Sequence, residues 1–423
     1  MQPGLALNYM IRVNTNNDQL ADVSLFAFDF EPQGWMFADG RQLTSASHPD
    51  LFARIGTTYG TNGAGTFLLP NLSGRVAIHA GQGFGMTSRT LGQQIGRATT
   101  TLTAAQIPCY THTLPPPMNA TGSAGVDQAH SNMQPSLVLN HAIMTSNAQL
   151  PSFDDPTEMP FLGQVQITAD DVFVAGRTAM DGQLLTIASN TALYSRIGTS
   201  FGGNGFSNFG LPDLRGRTAI SNGQNAAAGS TERFVGETAG DETVTLSTAE
   251  IPSHSHTLPT TGSAGGGQPH ENMQPSLTMS YAIAYEGTLP NAGSDTGTTL
   301  PMVGQLVLHA NGFTPGGWLP ADGSLYAIIQ YSELYDLIGN TYGGNVGDGS
   351  FAVPNLRGAA ALYKGSSFSL GQAMGSETAA LTINQLAAHT HEFVAIPEPS
   401  GLVLACFATL AFGALARRLR TDY

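Results

Sequence analysis

The sequence predicts a mainly β protein with short helices, organised as three tandem α+β modules followed by a C-terminal apolar helix. Two observations carry this prediction. The 423 residues exceed what one hydrophobic core can serve, and a single spaced pattern returns at intervals of roughly 140 residues, the ordinary size of a domain. Only 11% of the residues are charged while glycine alone contributes 51, a balance that suits short strands and turns better than ion-paired surface helices.

Each copy opens with an apolar, strand-like run that stops at an Asp-Gly pair: Asp39-Gly40, Asp181-Gly182 and Asp322-Gly323. Glycine supplies the positive φ of a tight turn, so these aspartates are read as turn residues and not as catalysts. A short helix follows, seen first as Ser47-His48-Pro49-Asp50-Leu51-Phe52-Ala53-Arg54-Ile55-Gly56. Serine is expected to cap it, proline fits its first turn and glycine ends it. Leu51, Phe52 and Ile55 form one apolar face, repeated by Leu193, Tyr194, Ile197 and by Leu334, Tyr335, Ile338. A Gly/Asn loop then leads to Phe67-Leu68-Leu69-Pro70-Asn71-Leu72-Ser73-Gly74-Arg75 and its two counterparts. None of these loops is followed by the Lys-Ser or Lys-Thr of a phosphate cradle. Trp35 and Trp318 are read as core residues.

Met133-Gln134-Pro135 and Met273-Gln274-Pro275 open the segments that close the first two copies, and the same tripeptide stands at residues 1–3, ahead of every copy. The resulting divisions are 1–13 (a closing segment), 14–145, 146–290 and 291–395 (the three units), and 396–423 (linker, apolar segment and basic tail). Two readings of the misplaced segment stand side by side. Residues 1–13 fold back to complete the third unit, so that the modules close around a pseudo-threefold axis, or Met1 is internal to a longer product.

The series Trp35…Asp39-Gly40, Leu51…Ile55-Gly56-Thr57-Thr58-Tyr59-Gly60, Leu69-Pro70-Asn71-Leu72-Ser73-Gly74-Arg75 and Asn132-Met133-Gln134-Pro135 resembles the phage tail collar domain and the related microcystin-dependent proteins. Departures from the pattern are Arg177 in place of tryptophan, Ala359 in place of arginine, and a third unit without the Gly-rich insert. The resemblance implies an assembly or surface-recognition role and no enzyme.

One constellation has the chemistry of a metal site. His254-Ser255-His256 and His389-Thr390-His391 stand between the strand that follows the motif arginine (Arg75, Arg217, with Ala359 in the third copy) and the closing segment, where the first copy has Tyr110-Thr111-His112. Alternate residues of a strand share a face, so each motif presents two imidazoles together. His112, His254, His256, His389 and His391 are therefore the candidate ligands of a structural transition metal, iron or zinc, with Tyr110 a poor sixth. The region also resembles trimeric phage fibre tips, which implies an iron held by imidazoles of three chains. Asp154-Asp155 and Asp170-Asp171 lack partners for acid–base work. His130 and His270 fall in flexible, polar inserts that read either as exposed tips for ligand recognition or as tolerated loops.

The charge balance of 16 basic against 30 acidic residues, with Lys364 as the sole lysine, excludes a phosphate-neutralising surface and hence nucleic acid as a partner. Cys109 and Cys406 lie in settings too different for a mutual disulfide. Pro397-Glu398-Pro399 precedes an uncharged stretch, Gly401 to Ala416, and then Arg417-Arg418-Leu419-Arg420. As a helix the stretch spans about 24 Å, a little short of a ~30 Å hydrocarbon core that flanking arginines help to reach. This order resembles the PEP-CTERM sorting signal of Gram-negative bacteria, which implies exosortase and the membrane as partners and the cell surface or exterior as destination. No signal peptide is visible at Met1. The expected function is a non-enzymatic surface protein that engages polysaccharide or another surface protein. A phage-derived tail fibre component is the alternative, with a polysaccharide-modifying enzyme third.

Overall fold

The computed structural model describes residues 2, 4–13, 20–97, 101–114, 120–121, 123–124, 127, 130–134, 136–144, 162–169, 176–225, 231–256, 264–265, 270–290, 300–311, 313–364, 368–387, 389 and 391. The chain is mainly β, with three short helices of seven residues each: α1 (Pro49–Ile55), α2 (Thr191–Ile197) and α3 (Ser332–Ile338).

The local rules of the repeat hold in all three copies, with one correction. Asp39 accepts the backbone N–H of Arg41, Asp181 that of Gln183 and Asp322 that of Ser324, so each aspartate folds its own turn. The glycine between them is required. Gly40 has φ +81°, and a Cβ there would lie 2.8 Å from Cβ of Asn71. Each helix buries its leucine and isoleucine and ends at a glycine whose N–H returns to the preceding turn. The expected serine cap is absent. His48 occupies the N-cap position of α1 without a side-chain cap bond, and Ser47 Oγ instead meets Thr44 and His48 Nδ1.

Three nine-residue strands close the repeats: Gly4–Arg12, Ser136–Met144 and Ser276–Ala284. Each is shared between two copies. The first half of Ser136–Met144 runs parallel to Val76–His79 of the first copy, with Val76 opposite Ser136. Its second half runs antiparallel to Gln164–Thr168 and Arg177–Ala179 of the second copy. Ser276–Ala284 joins the second copy to the third in the same register. The N-terminal strand joins the third copy to the first. Gly4 to Leu7 pair with Ala360 to Tyr363, while Asn8 to Ile11 pair with Val23 to Phe26 and Arg12 pairs with Trp35. Residues 4–12 thus serve the first copy as much as the third, more than the completion of one unit anticipated from the repeat phase.

The opening strands Asp22–Phe26, Gln164–Thr168 and Gln305–His309 pair with one another in every combination. Glutamines of the Met-Gln-Pro tripeptides add a further link, since Gln2 Oε1 accepts from Gln274 N–H and Gln274 Oε1 accepts from Gln134 N–H. Some ion pairs between copies repeat and others are copy-specific. Arg89 pairs with Glu242 and Arg233 with Glu377, whereas at the equivalent of the arginine the third copy has Phe368 and the first and third copies are bridged by Lys364 and Asp29.

One core cluster takes side chains from all three copies: Leu7, Leu139 and Met279 of the closing strands, with Leu51, Leu193 and Leu334 of the helices. Full burial of a side chain of this size contributes about 1.5–3 kcal/mol. Trp35 and Trp318 are buried, as read from the sequence. His130 and His270 are not exposed tips. Both are buried, with ring centroids 5.4 Å apart, in the short strands His130–Ser131 and His270–Glu271.

The compact bodies do not follow the repeat boundaries. One comprises residues 1–100, 130–244 and 270–379, and holds the whole strand system above. The other comprises residues 101–129, 245–269 and 380–423, one segment from each copy. Pro397, Glu398, Pro399, the apolar tail with Cys406, and both Asp-Asp pairs lie outside the described residues, Asp155 and Asp170 included. Among the described residues no helix is long and apolar enough to cross a membrane.

Candidate metal centre

The smaller body is assembled from three equivalent segments, each started by the same local device. Thr103 and Gln106 form a reciprocal capping box, as do Thr382 and Gln385, and Ser247 makes the matching bonds to Glu250. The residue after each box, Ile107, Ile251 or Leu386, turns inward to a small apolar cluster with Tyr110 and Ala264. This Ser/Thr-x-x-Glu/Gln signal is present in the sequence, and it marks the support of the site that attention to the histidines alone passes over.

From these anchors the motif residues are set by backbone pairing. Tyr110 exchanges N–H···O bonds with Ala124 at 3.1 and 3.0 Å, and His254 does so with Ala264 at 2.9 Å each way. Gly265 permits the second pairing, because it has φ +98° and a Cβ there would lie 2.4 Å from the carbonyl oxygen of Pro252. His112 N–H donates to Thr121 Oγ1, and Thr121 N–H returns to His112 O.

All five histidines predicted from the sequence converge, and Tyr110 joins them. The six rings have the connectivity of an octahedron. Tyr110 neighbours His112, His254, His389 and His391, with centroids 5.2–5.8 Å away. Neighbouring imidazoles are 4.7–5.5 Å apart. The pairs left over, Tyr110 with His256, His112 with His389, and His254 with His391, stand opposite each other as trans positions do. With metal–nitrogen bonds of about 2.1 Å and the centroid roughly 1.1 Å farther out, adjacent imidazoles of an octahedral site sit about 4.5 Å apart. The observed spacing is slightly wider than that, so the donor set fits a six-coordinate transition metal.

Donor atoms agree for four of the five histidines. Ligand nitrogens of His112, His256, His389 and His391 lie within 4.8 Å of one another. Nδ1 of His254 meets the carbonyl of Pro252 at 3.0 Å, and Nδ1 of His389 meets that of Ala387 at 2.9 Å. A neutral imidazole that gives its Nδ1–H to a carbonyl keeps a lone pair on Nε2, the arrangement that orients metal-ligating histidines. Those two Nε2 atoms face each other at 3.3 Å, and Tyr110 Oη lies 2.9 and 2.8 Å from them. The phenol has a single proton to share among the three converging atoms, so the face is rich in lone pairs and suited to a cation. Burial pushes the Tyr110 hydroxyl up to about 12. Burial, and then repulsion from the neighbouring imidazoles, lowers His256.

The model of the Phage Tail Collar Domain matches three stretches, residues 21–77, 163–219 and 304–361. The chain therefore carries three copies of that domain, each running from its opening strand into the strand Val76–His79, Thr218–Ser221 or Ala360–Tyr363. The histidine centre lies outside every matched stretch. No curated protein and no solved structure matches the chain.

Proposed function

We propose that this protein is a non-enzymatic structural and recognition component whose three collar modules form a closed, pseudo-threefold body, with the histidine cluster as its structural metal centre. The observation that carries the reading is the sharing of each closing strand between consecutive copies, residues 4–12 returning to the third and the first. One chain thereby provides three equivalent modules, each closed by a strand that also belongs to the next. A metal held by six side chains has no open position, so its contribution is to tie three distant segments together and not to activate a substrate.

The Pro397-Glu398-Pro399 tail supports delivery through the membrane and processing by an exosortase, with extracellular polysaccharide or a surface protein as ligand. Two measurements on the full chain test this. Fractionation should place it with the membrane and cell exterior, and a glycan array should give binding without turnover. Depolymerisation of a bound glycan would make the protein an enzyme and overturn the reading. The three collar matches also favour a tail-fibre component. Co-sedimentation with phage-tail particles, and not with the cell envelope, would select that second reading.

A further inference from the structure

We infer that Tyr110 is a true sixth ligand of this centre and that its oxygen selects a ferric ion over ferrous iron and zinc, an inference that rests on the metal-centre reading above. The first copy has tyrosine where the others have His254 and His389. The phenol does not stand aside from the histidines. Adjacent donors of an octahedral site with bonds of about 2.1 Å are about 3.0 Å apart. Tyr110 Oη, His254 Nε2 and His389 Nε2 are separated by 2.9, 2.8 and 3.3 Å, the spacing of one octahedral face. The geometry also compensates for the longer side chain. A phenol oxygen stands farther from its ring centroid than an imidazole nitrogen does, and the Tyr110 ring lies 5.2–5.8 Å from its neighbours, against 4.7–5.5 Å for the neighbouring imidazole pairs. The ring is set back and the oxygen arrives at the ligand position.

Five imidazoles alone suit several divalent ions. One hard, anionic oxygen changes the preference, because phenolate bonding grows with the charge of the metal and is strongest with iron in the ferric state. When a ferric ion binds, the phenol O–H bond breaks, the proton leaves to solvent and an Fe–O bond forms. The iron enters and stays ferric, so no oxidant is required.

The full chain, stripped with chelator and reloaded in parallel with ferric citrate, anaerobic ferrous iron or zinc, gives the test. One metal per chain by elemental analysis, a phenolate-to-iron charge-transfer band in the visible spectrum of the ferric form, and retention of ferric iron against excess zinc are expected. Tyr110→Phe removes the band. Tyr110→His restores the repeat pattern, still binds one metal per chain without the band, and loses the preference for ferric iron over zinc. A colourless ferric form, a band that persists in Tyr110→Phe, or displacement of ferric iron by zinc in the unaltered chain overturns the role of Tyr110 while leaving a metal centre in place. Failure of the unaltered chain to take up any metal overturns both readings.

Discussion

Leu7 tests whether the shared strands make three repeats into one folding unit. Its side chain is fully buried in the N-terminal strand, opposite Tyr363 of the third copy, while the following residues of that strand pair with the first copy. Leu7→Ala removes three carbon groups at about 0.8 kcal/mol each, and the cavity left behind raises the cost to about 3 kcal/mol. Trp35 and Trp318 offer one probe in the first copy and one in the third. Guanidinium unfolding followed by fluorescence, in the Trp35→Phe and Trp318→Phe backgrounds separately, should show both probes losing the same stability when Leu7 is shortened. Coincident transitions are the mark of one cooperative unit. A shift confined to Trp318, or two transitions that separate, would mean that the copies fold independently and that the shared strand does not couple them.

Other predictions concern charge. Burial lowers His79 to about 4, and His141 beside it is also held well below its ordinary value, by burial first and then by repulsion from His79. The unfolded chain therefore takes up the proton first, and the stability held above pH 6.5 is lost as the pH falls toward 4, about 3 kcal/mol for His79 alone. His79→Asn, which keeps an acceptor for the His141 N–H, should flatten the fall in denaturation midpoint over that window; an unchanged slope would count against the assignment. At the junction of the first two copies, burial alone would raise Glu242, but bonds from Thr87 and Arg89 outweigh it and hold the carboxyl below its ordinary value. Its contribution is present above the unfolded value near 4.5 and is lost as the pH falls through the lower folded one. Glu242→Ala should cost about 2–3 kcal/mol at neutral pH, because a charged hydrogen bond is lost and Arg89 stays largely buried. A loss below about 0.5 kcal/mol in a thermal or denaturant melt would place the pair among ordinary surface ion pairs.

Much of the local structure was legible in the chain because short-range rules write it. Asp-Gly turns, the Leu/Ile faces of the three helices and the glycines that end them depend on neighbours a few residues away, and they stand where the sequence places them. Two local expectations yielded to packing. Ser47 found Thr44 and His48 as partners instead of capping its helix, and His130 and His270 went into the interior although polar residues surround them in the sequence.

The sequence by itself determined the threefold repeat, its mainly β character with short helices, and the identity of the five histidines, because these follow from spacing and residue type. Only the tertiary structure decided how the copies join. Pairing partners are set by hydrogen bonds between strands hundreds of residues apart, and no local preference encodes that Gly4–Leu7 lie along Ala360–Tyr363. The centre divides along the same line. His-x-His spacing announced pairs of imidazoles, but the octahedral arrangement of the rings, with Tyr110 among them, required three segments to meet. A ligand field is a property of distances between side chains, and those distances exist only once the chain has folded.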